Sequence, residues 1–258
     1  MSNLSFDPAV ETILLSDDKL FGPTIEGEGE YVGQPSIFMR LAMCNLTCKK
    51  FASESSPHGC DSYISWSVKH KYTFTQIWDE FMVGKRMKDR LLAGAIFKIS
   101  GGEPLIQQKQ LLKFVEYIVE QLGIIPKIDF ETNATLLPDE RWVTDFNASF
   151  TTSPKLPSNG DPVEKTYKPE VLKWHSEHYS GFKFVINTSE DIDYIWKNYV
   201  EDDKGINVKL HRIWFMPCCG SRQEHIERAP TVVEYAKALG VNFSPRLHIL
   251  IWDRQLGV

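Results

Sequence analysis

Seven short runs rich in β-branched and aromatic residues, separated by stretches with helical periodicity, constrain the fold of this chain more than any other feature. The runs are residues 36–41, 95–100, 127–131, 148–152, 181–187, 212–216 and 246–251. Between them, 76–83 places Ile77, Phe81 and Met82 on one side, and 105–122 carries Leu111, Leu112, Val115, Ile118 and Leu122 at helical spacing. Residues 190–199 and 223–239 read the same way, with Ser189 and Ser221 as N-caps and Gly240 as a C-cap. Strand–helix alternation implies right-handed βαβ units and a mostly parallel sheet. Six or so such units predict an α/β fold of the partial (β/α)6 barrel type, and 258 residues suffice for one such domain. The least regular stretches are a Ser/Pro/Gly-rich insertion at 49–59 and a Pro/Asn/Gly loop at 155–171, each either a lid or a solvated excursion.

The formal net charge of -5 argues against nucleic acid or an anionic membrane as partner, and Lys49-Lys50 is too short for a nucleic-acid patch. No apolar run approaches the roughly 18 residues of a bilayer span. The N-terminus has no basic segment followed by an apolar core, so a cytoplasmic location is expected. Five cysteines, an odd number, argue against a disulfide framework. Three of them, Cys44, Cys48 and Cys60, fall in one short segment, and clustered thiols in a reducing compartment more often bind metal or do chemistry.

Folds of this class place their chemistry in loops at the carboxyl ends of the strands. The unusual residues of this sequence sit there. Cys44 follows the first run, Gly101-Gly102-Glu103-Pro104 the second and Thr132-Asn133 the third. Ser153-Pro154-Lys155 follows the fourth and Pro217-Cys218-Cys219 the sixth. Cysteine thiolates suit zinc or an iron–sulfur cluster. With His58 as a fourth ligand the segment makes a zinc site; with three cysteines alone it makes a cluster with one iron open to a bound molecule. Spacing leaves both readings open, and eleven residues separate Cys48 from Cys60 where two are usual. The Gly-Gly-Glu-Pro motif shifts the balance. Its glycines let backbone approach a ligand, its free amides can hold a carboxylate, and Glu103 can accept from an ammonium group. That suits the amino-acid end of S-adenosylmethionine.

Together these residues resemble the radical S-adenosylmethionine superfamily, and within it the 7-carboxy-7-deazaguanine synthase family. The resemblance runs from Phe21-Gly-Pro-Thr-Ile-Glu-Gly-Glu-Gly29 through Phe38-Met-Arg40-Leu, the cysteine segment, Ser100-Gly-Gly-Glu-Pro104, Glu131-Thr-Asn133 and Ser153-Pro-Lys155. It continues to Phe182-Lys-Phe-Val-Ile186, Arg246-Leu-His248 and Trp252. It implies a [4Fe-4S] cluster on Cys44, Cys48 and Cys60, reductive cleavage of S-adenosylmethionine, and contraction of 6-carboxy-5,6,7,8-tetrahydropterin to 7-carboxy-7-deazaguanine with loss of ammonia. By the same resemblance, Gly102, Ser153, Pro154 and Lys155 line the S-adenosylmethionine site, with Asp61 beside it and Met216, Pro217, Cys218 and Cys219 in a further contacting loop. Ile25, Glu26, Gly27, Arg40 and Ser100 match pterin-holding positions, Ser62 a magnesium-binding hydroxyl, and the Val258 carboxylate touches substrate. A homodimer and a reducing partner such as flavodoxin or ferredoxin are also implied. The sequence departs from the pattern in its long cysteine spacer, in Ala134 where Gly is common, and in Glu26 where Gln is common. Glu26 adds negative charge beside an anionic substrate.

Other residues carry blander expectations. Lys183 reads as a snorkelling surface lysine, Trp174 and Trp196 as packing, and His248 equally as a site residue or a structural one. Two competing functions remain. A glycyl-radical activating enzyme would have tight cysteine spacing and no need of the N-terminal Gly-Glu-Gly. A zinc-stabilised binding module would use His58.

Overall fold

The computed structural model describes residues 4–53, 56–201 and 203–255. Among them, nine strands form one sheet: β1 (Thr12–Ile25), β2 (Pro35–Leu41), β3 (His70–Thr73), β4 (Ile96–Gly101), β5 (Ile128–Thr132), β6 (Ser149–Thr152), β7 (Ser180–Ile186), β8 (Ile213–Pro217) and β9 (Asn242–Phe243). Their order is β3-β1-β2-β4-β5-β6-β7-β8-β9. β1 pairs antiparallel with β2 and β3, and every pairing from β2 to β9 is parallel. The fold is therefore α/β with a mostly parallel sheet, as the alternation predicts, and among the described residues no pairing between β9 and β3 closes it. Among the described residues no helix is long and apolar enough to cross a membrane.

The first six sequence runs fall on β2, β4, β5, β6, β7 and β8, each end within one residue. The seventh does not. Residues 246–251 are expected as a strand, but Leu247–Trp252 is a helix. Short apolar runs fit a buried helix as well as a strand, and the sheet edge beyond β8 is already taken by β9. Arg222 accepts this helix as a neighbour by donating Nε to the carbonyl of Leu250 and Nη2 to that of Ile251, both at 2.8 Å, and so satisfies carbonyls at its end. β1 is absent from the expectations because Ser16-Asp-Asp-Lys and Gly22-Pro23 interrupt its apolar residues. Its register with β2 shifts at both places.

The helices behave as their spacing predicts. Gln108–Leu122 follows a tight turn at Pro104–Gln107 and buries Leu111, Leu112, Val115 and Ile118 against the sheet. In Arg222–Leu239, Ser221 caps by accepting from Glu224 N, and Gly240 ends the helix at φ +68°. Ser189 precedes Glu190–Ile195 without capping it; Asp191, in the first turn, instead ties down the chain leading into the helix, its Oδ2 accepting from the amides of Asn187 (2.9 Å) and Thr188 (3.0 Å).

The two faces of the sheet differ in kind. Phe97, Ile99, Ile128, Phe130 and Phe150 point one way and pack with Phe114 and Trp142. Phe182, Phe184, Ile213 and Phe215 continue that apolar layer with Tyr199 and Val232. Each fully buried Phe contributes about 1.5–3 kcal/mol. The alternate residues Lys98, Ser100, Asp129, Glu131, Thr151 and Lys183 face the other way. Strands of a parallel sheet buried on both faces are normally apolar throughout. Packing alone does not call for these charges.

Candidate active site

The polar face opens at the carboxyl ends of the strands into a cleft of about 530 Å3. β1, β2, β4, β5, β7 and β8 all contribute to its wall, so the sheet curves around it. The three cysteines line it. So do Ile25, Glu26, Gly27, Arg40 and Ser100, expected around substrate. Asp61, Ser62, Gly102, Ser153 and Lys155 lie on the same wall, as do Met216 through Cys219 from the end of β8. Pro154 is buried between Ser153 and Lys155 without reaching the cleft surface. Val258 lies outside the described residues.

Two loops bring the cysteines together. Cys48 sits at φ +50°, and Asp161, from the irregular 155–171 stretch, holds that turn. Its carboxylate accepts from the amides of Thr47 (3.0 Å) and Cys48 (2.8 Å) and from Thr47 Oγ1 (2.8 Å). The 155–171 stretch is thus a support for the cysteine loop rather than a lid. The long spacer doubles back through reciprocal backbone bonds between Ser53 and Ser56, each 3.2 Å. It returns at Gly59, whose φ is +90° and whose missing Cβ would lie 2.4 Å from the carbonyl oxygen of Cys48. Only a residue without a side chain lets Cys60 arrive beside Cys48.

Each cysteine sulfur faces a side-chain N–H from a different element: Trp66 Nε1 on Cys60 (3.5 Å), Asn159 Nδ2 on Cys48 (3.6 Å) and Asn133 Nδ2 on Cys44 (3.9 Å). Burial pushes the thiols up, Cys44 to about 11 and Cys48 to about 12, while the Lys155 ammonium pulls all three down. A cationic centre supplies what such thiols lack to become thiolates. Sulfur ligands with N–H donors around them fit an iron–sulfur cluster. His58, the candidate fourth ligand for zinc, is exposed and stacks on Tyr63 at 4.9 Å.

The Gly-Gly-Glu motif is stapled to this segment. The Gly102 amide donates to Leu41 O (3.0 Å) and the Glu103 amide to Met43 O (2.8 Å). A Cβ on Gly102 would lie 1.8 Å from Met43 O, so here the glycine serves chain-to-chain approach as well as ligand access. Glu103 departs from expectation. It is fully buried and spent on the Leu105 amide (3.0 Å), Thr132 Oγ1 (2.9 Å) and the Asn133 amide (2.7 Å), so no ammonium ligand reaches it.

A line of charges crosses the cleft, most of it unread from the sequence. Lys183 is no surface lysine: it is 5% exposed, with Nζ 2.8 Å from Glu131 and 2.5 Å from Glu28. Glu28 also meets Arg246 Nε (2.7 Å), and His248, on the terminal helix, lies 3.8 Å away. Arg246 continues to Asp61 (2.5 Å) and to the carbonyl of Cys219. Ser100 donates to Glu131 (2.7 Å). Burial alone would raise Glu131, but Lys183 and Lys98 outweigh it and hold the carboxyl down at about 2. Glu28 is likewise held well below its ordinary value, Lys183 and Arg246 overcoming burial. Both stay carboxylates. Arg40 is the exception to the pairing: its Nε is buried with no hydrogen-bond partner among the described residues. Charged residues at alternate positions inside Ile/Phe strands were the available signal for this line.

Comparison with known proteins agrees with the geometry. A family described as a 4Fe-4S single cluster domain matches residues 25–133, the stretch holding all three cysteines and the Gly-Gly-Glu motif. The 7-carboxy-7-deazaguanine synthase of Koribacter versatilis is 33% identical over 199 residues, covering 75% of this chain and 74% of its own. That of Pyrobaculum aerophilum is 27% identical over 239 residues, covering 91% and 93%. The solved structure of QueE from Escherichia coli shares the fold, with a TM-score of 0.60 at 18% identity over 95% of this chain and 100% of that one.

Proposed function

Because the chain belongs to the 7-carboxy-7-deazaguanine synthase family, we propose that it contracts 6-carboxy-5,6,7,8-tetrahydropterin to 7-carboxy-7-deazaguanine with release of ammonia, in 7-deazapurine (queuosine-type) biosynthesis. The observation that carries the reading is the meeting, in one cleft, of three cysteines with an ionised glutamate and an arginine whose Nε has no hydrogen-bond partner among the described residues. Cys44, Cys48 and Cys60 would hold a [4Fe-4S] cluster, and Gly102, Ser153 and Lys155 would line the S-adenosylmethionine site with Asp61 and the loop Met216 to Cys219, while Pro154 would shape that wall from behind. When bound, the cluster and S-adenosylmethionine supply one-electron hydrogen-abstraction chemistry that side chains lack.

The protein's own part is binding, orientation and exclusion of water. Arg40 receives the substrate carboxylate, and its unspent Nε supports that role. Glu131, kept ionised by Lys183 and oriented by Ser100, accepts from the N–H edge of the pterin. Ile25 and Gly27 form the adjoining wall. Ser62, whose hydroxyl donates to Asp61 at 3.2 Å, would take a magnesium ion together with substrate. On the resemblance, the enzyme works as a cytoplasmic homodimer reduced by a flavodoxin or ferredoxin. Anaerobic turnover of the carboxytetrahydropterin with S-adenosylmethionine, reductant and magnesium tests the reading. It predicts equal amounts of 7-carboxy-7-deazaguanine and ammonia; cleavage of S-adenosylmethionine without either product refutes the substrate.

A further inference from the structure

Glu26 lines the cleft, yet its charge is not offered to a ligand. Its Oε1 accepts from the amides of Gly27 (2.8 Å) and Glu28 (3.0 Å). Its Oε2 is buried with no aligned hydrogen-bond donor and lies 2.9 Å from Nζ of Lys98. Lys98 is 0% exposed, between Phe97 and Ile99 of the apolar layer. Its Nζ also meets Asp129 Oδ2 (2.6 Å) and donates to Thr151 Oγ1 (3.2 Å). Asp129 in turn accepts from Ser149 Oγ (2.7 Å) and Thr151 Oγ1 (2.8 Å), and Tyr31 donates to Ser149 (3.0 Å). Glu131 faces the same ammonium, so three carboxyl groups converge on one buried lysine.

The fold does not need this array. A buried ion cluster is often matched or bettered in stability by apolar residues of the same volume. Its position shows what it can do. The amides held by Glu26 belong to the loop that forms the substrate wall. From that loop Gly27 O accepts the Leu247 amide (2.9 Å), and Glu28 grips Lys183 and Arg246. The placement of Glu26 thus sets both the wall and the head of the charge line.

We propose that Lys98 is a positioning and specificity-determining residue: clamped by Asp129, it offsets the charge of Glu26 and fixes it as a brace beneath Gly27 and Glu28, so that a carboxylate at residue 26 does not repel the anionic substrate received by Arg40. The inference rests on the substrate reading above.

The test is the preference of the reconstituted holoenzyme, with S-adenosylmethionine bound, for the carboxytetrahydropterin over its neutral 6-carboxamide, measured anaerobically by calorimetry. Lys98→Met leaves Glu26 and Asp129 uncompensated near Glu131. The preference for the carboxylate should fall by about tenfold or more. The neutral triple variant Glu26→Gln/Lys98→Met/Asp129→Asn should recover it. A merely structural role would weaken both ligands alike. A preference within about twofold of wild type in Lys98→Met overturns the proposal, as does failure of a folded triple variant to recover it. Where circular dichroism shows Lys98→Met unfolded, Glu26→Gln decides: Lys98 stays paired with Asp129, so an ammonium that already screens Glu26 should leave the preference within about twofold of wild type, and a rise of about tenfold or more overturns the proposal. A wild-type holoenzyme that binds neither pterin refutes the substrate reading, and this proposal with it; binding of both at equal strength refutes this proposal alone.

Discussion

Arg40, Lys98, Glu131 and Lys183 show what one residue can do when its neighbours are apolar. Each stands at an alternate position in a strand whose other side chains are packed under helices, so each is delivered to the cleft at a fixed height and depth. Arg40 differs from the rest in that its Nε has no hydrogen-bond partner among the described residues. Charge-assisted hydrogen bonds are worth about 1.5–3 kcal/mol, so Arg40→Met should raise the KM for the carboxytetrahydropterin by about 10- to 100-fold. Steady-state kinetics under anaerobic conditions check this; an unchanged KM would place the substrate carboxylate elsewhere. The cysteines were legible in the sequence because three thiols in one short segment are rare, and Arg40 only through the family resemblance. Lys183 was not, because a lysine in a strand reads equally as a snorkelling surface residue. Its burial depends on Glu28 and Glu131, which come from segments 155 and 52 positions away. Glu103 shows the opposite error. Its motif reads as a ligand acceptor, while its carboxylate closes a turn.

Among the elements, the parallel strands were legible and the irregular ones were not. β2 and β4 to β8 are short apolar runs bounded by turn residues, and parallel pairing selects that pattern. β1 carries Asp17, Asp18, Lys19, Gly22 and Pro23, a loop composition that becomes a strand only because β2 and β3 lie on either side. The 155–171 stretch looks like a lid and acts as a support, since Asp161 serves amides more than a hundred positions upstream. Asp161→Ala leaves those buried amides unpaired and should cost about 2–4 kcal/mol in chemical denaturation; a loss below about 0.5 kcal/mol would mean that water replaces the carboxylate. Gly59→Ala tests the return of the spacer. A Cβ 2.4 Å from Cys48 O, at φ +90°, must push Cys60 away, so the variant should bind markedly less iron on anaerobic reconstitution. Full iron loading would show that the spacer has another way back.

At the scale of the molecule, the charge line joins the N-terminal loop, the sheet floor and the C-terminal helix, and it ties stability to pH. Glu28 and Glu131 titrate below their ordinary value of 4.5 in the folded state, so the unfolded chain binds more protons as acid is added. Their contribution is complete above about pH 4.5 and is lost as pH falls toward 2, on the order of 3 kcal/mol for Glu131 alone. Lys183 lies above its ordinary 10.5, so its share is present below that value and fades as pH rises beyond it. Denaturation midpoints should therefore drop on the acid side from about pH 4.5, and Glu131→Gln should flatten that limb; an acid limb unchanged in the variant would assign it to other carboxylates. The wider account rests on Cys44, Cys48 and Cys60 as ligands of one cluster. The most direct measurement is metal content after anaerobic reconstitution with iron and sulfide, for the wild type beside Cys60→Ala. The account predicts about four irons and a brown chromophore per wild-type chain, both lost in the variant. Stoichiometric zinc that resists iron loading, or full iron in Cys60→Ala, would contradict it.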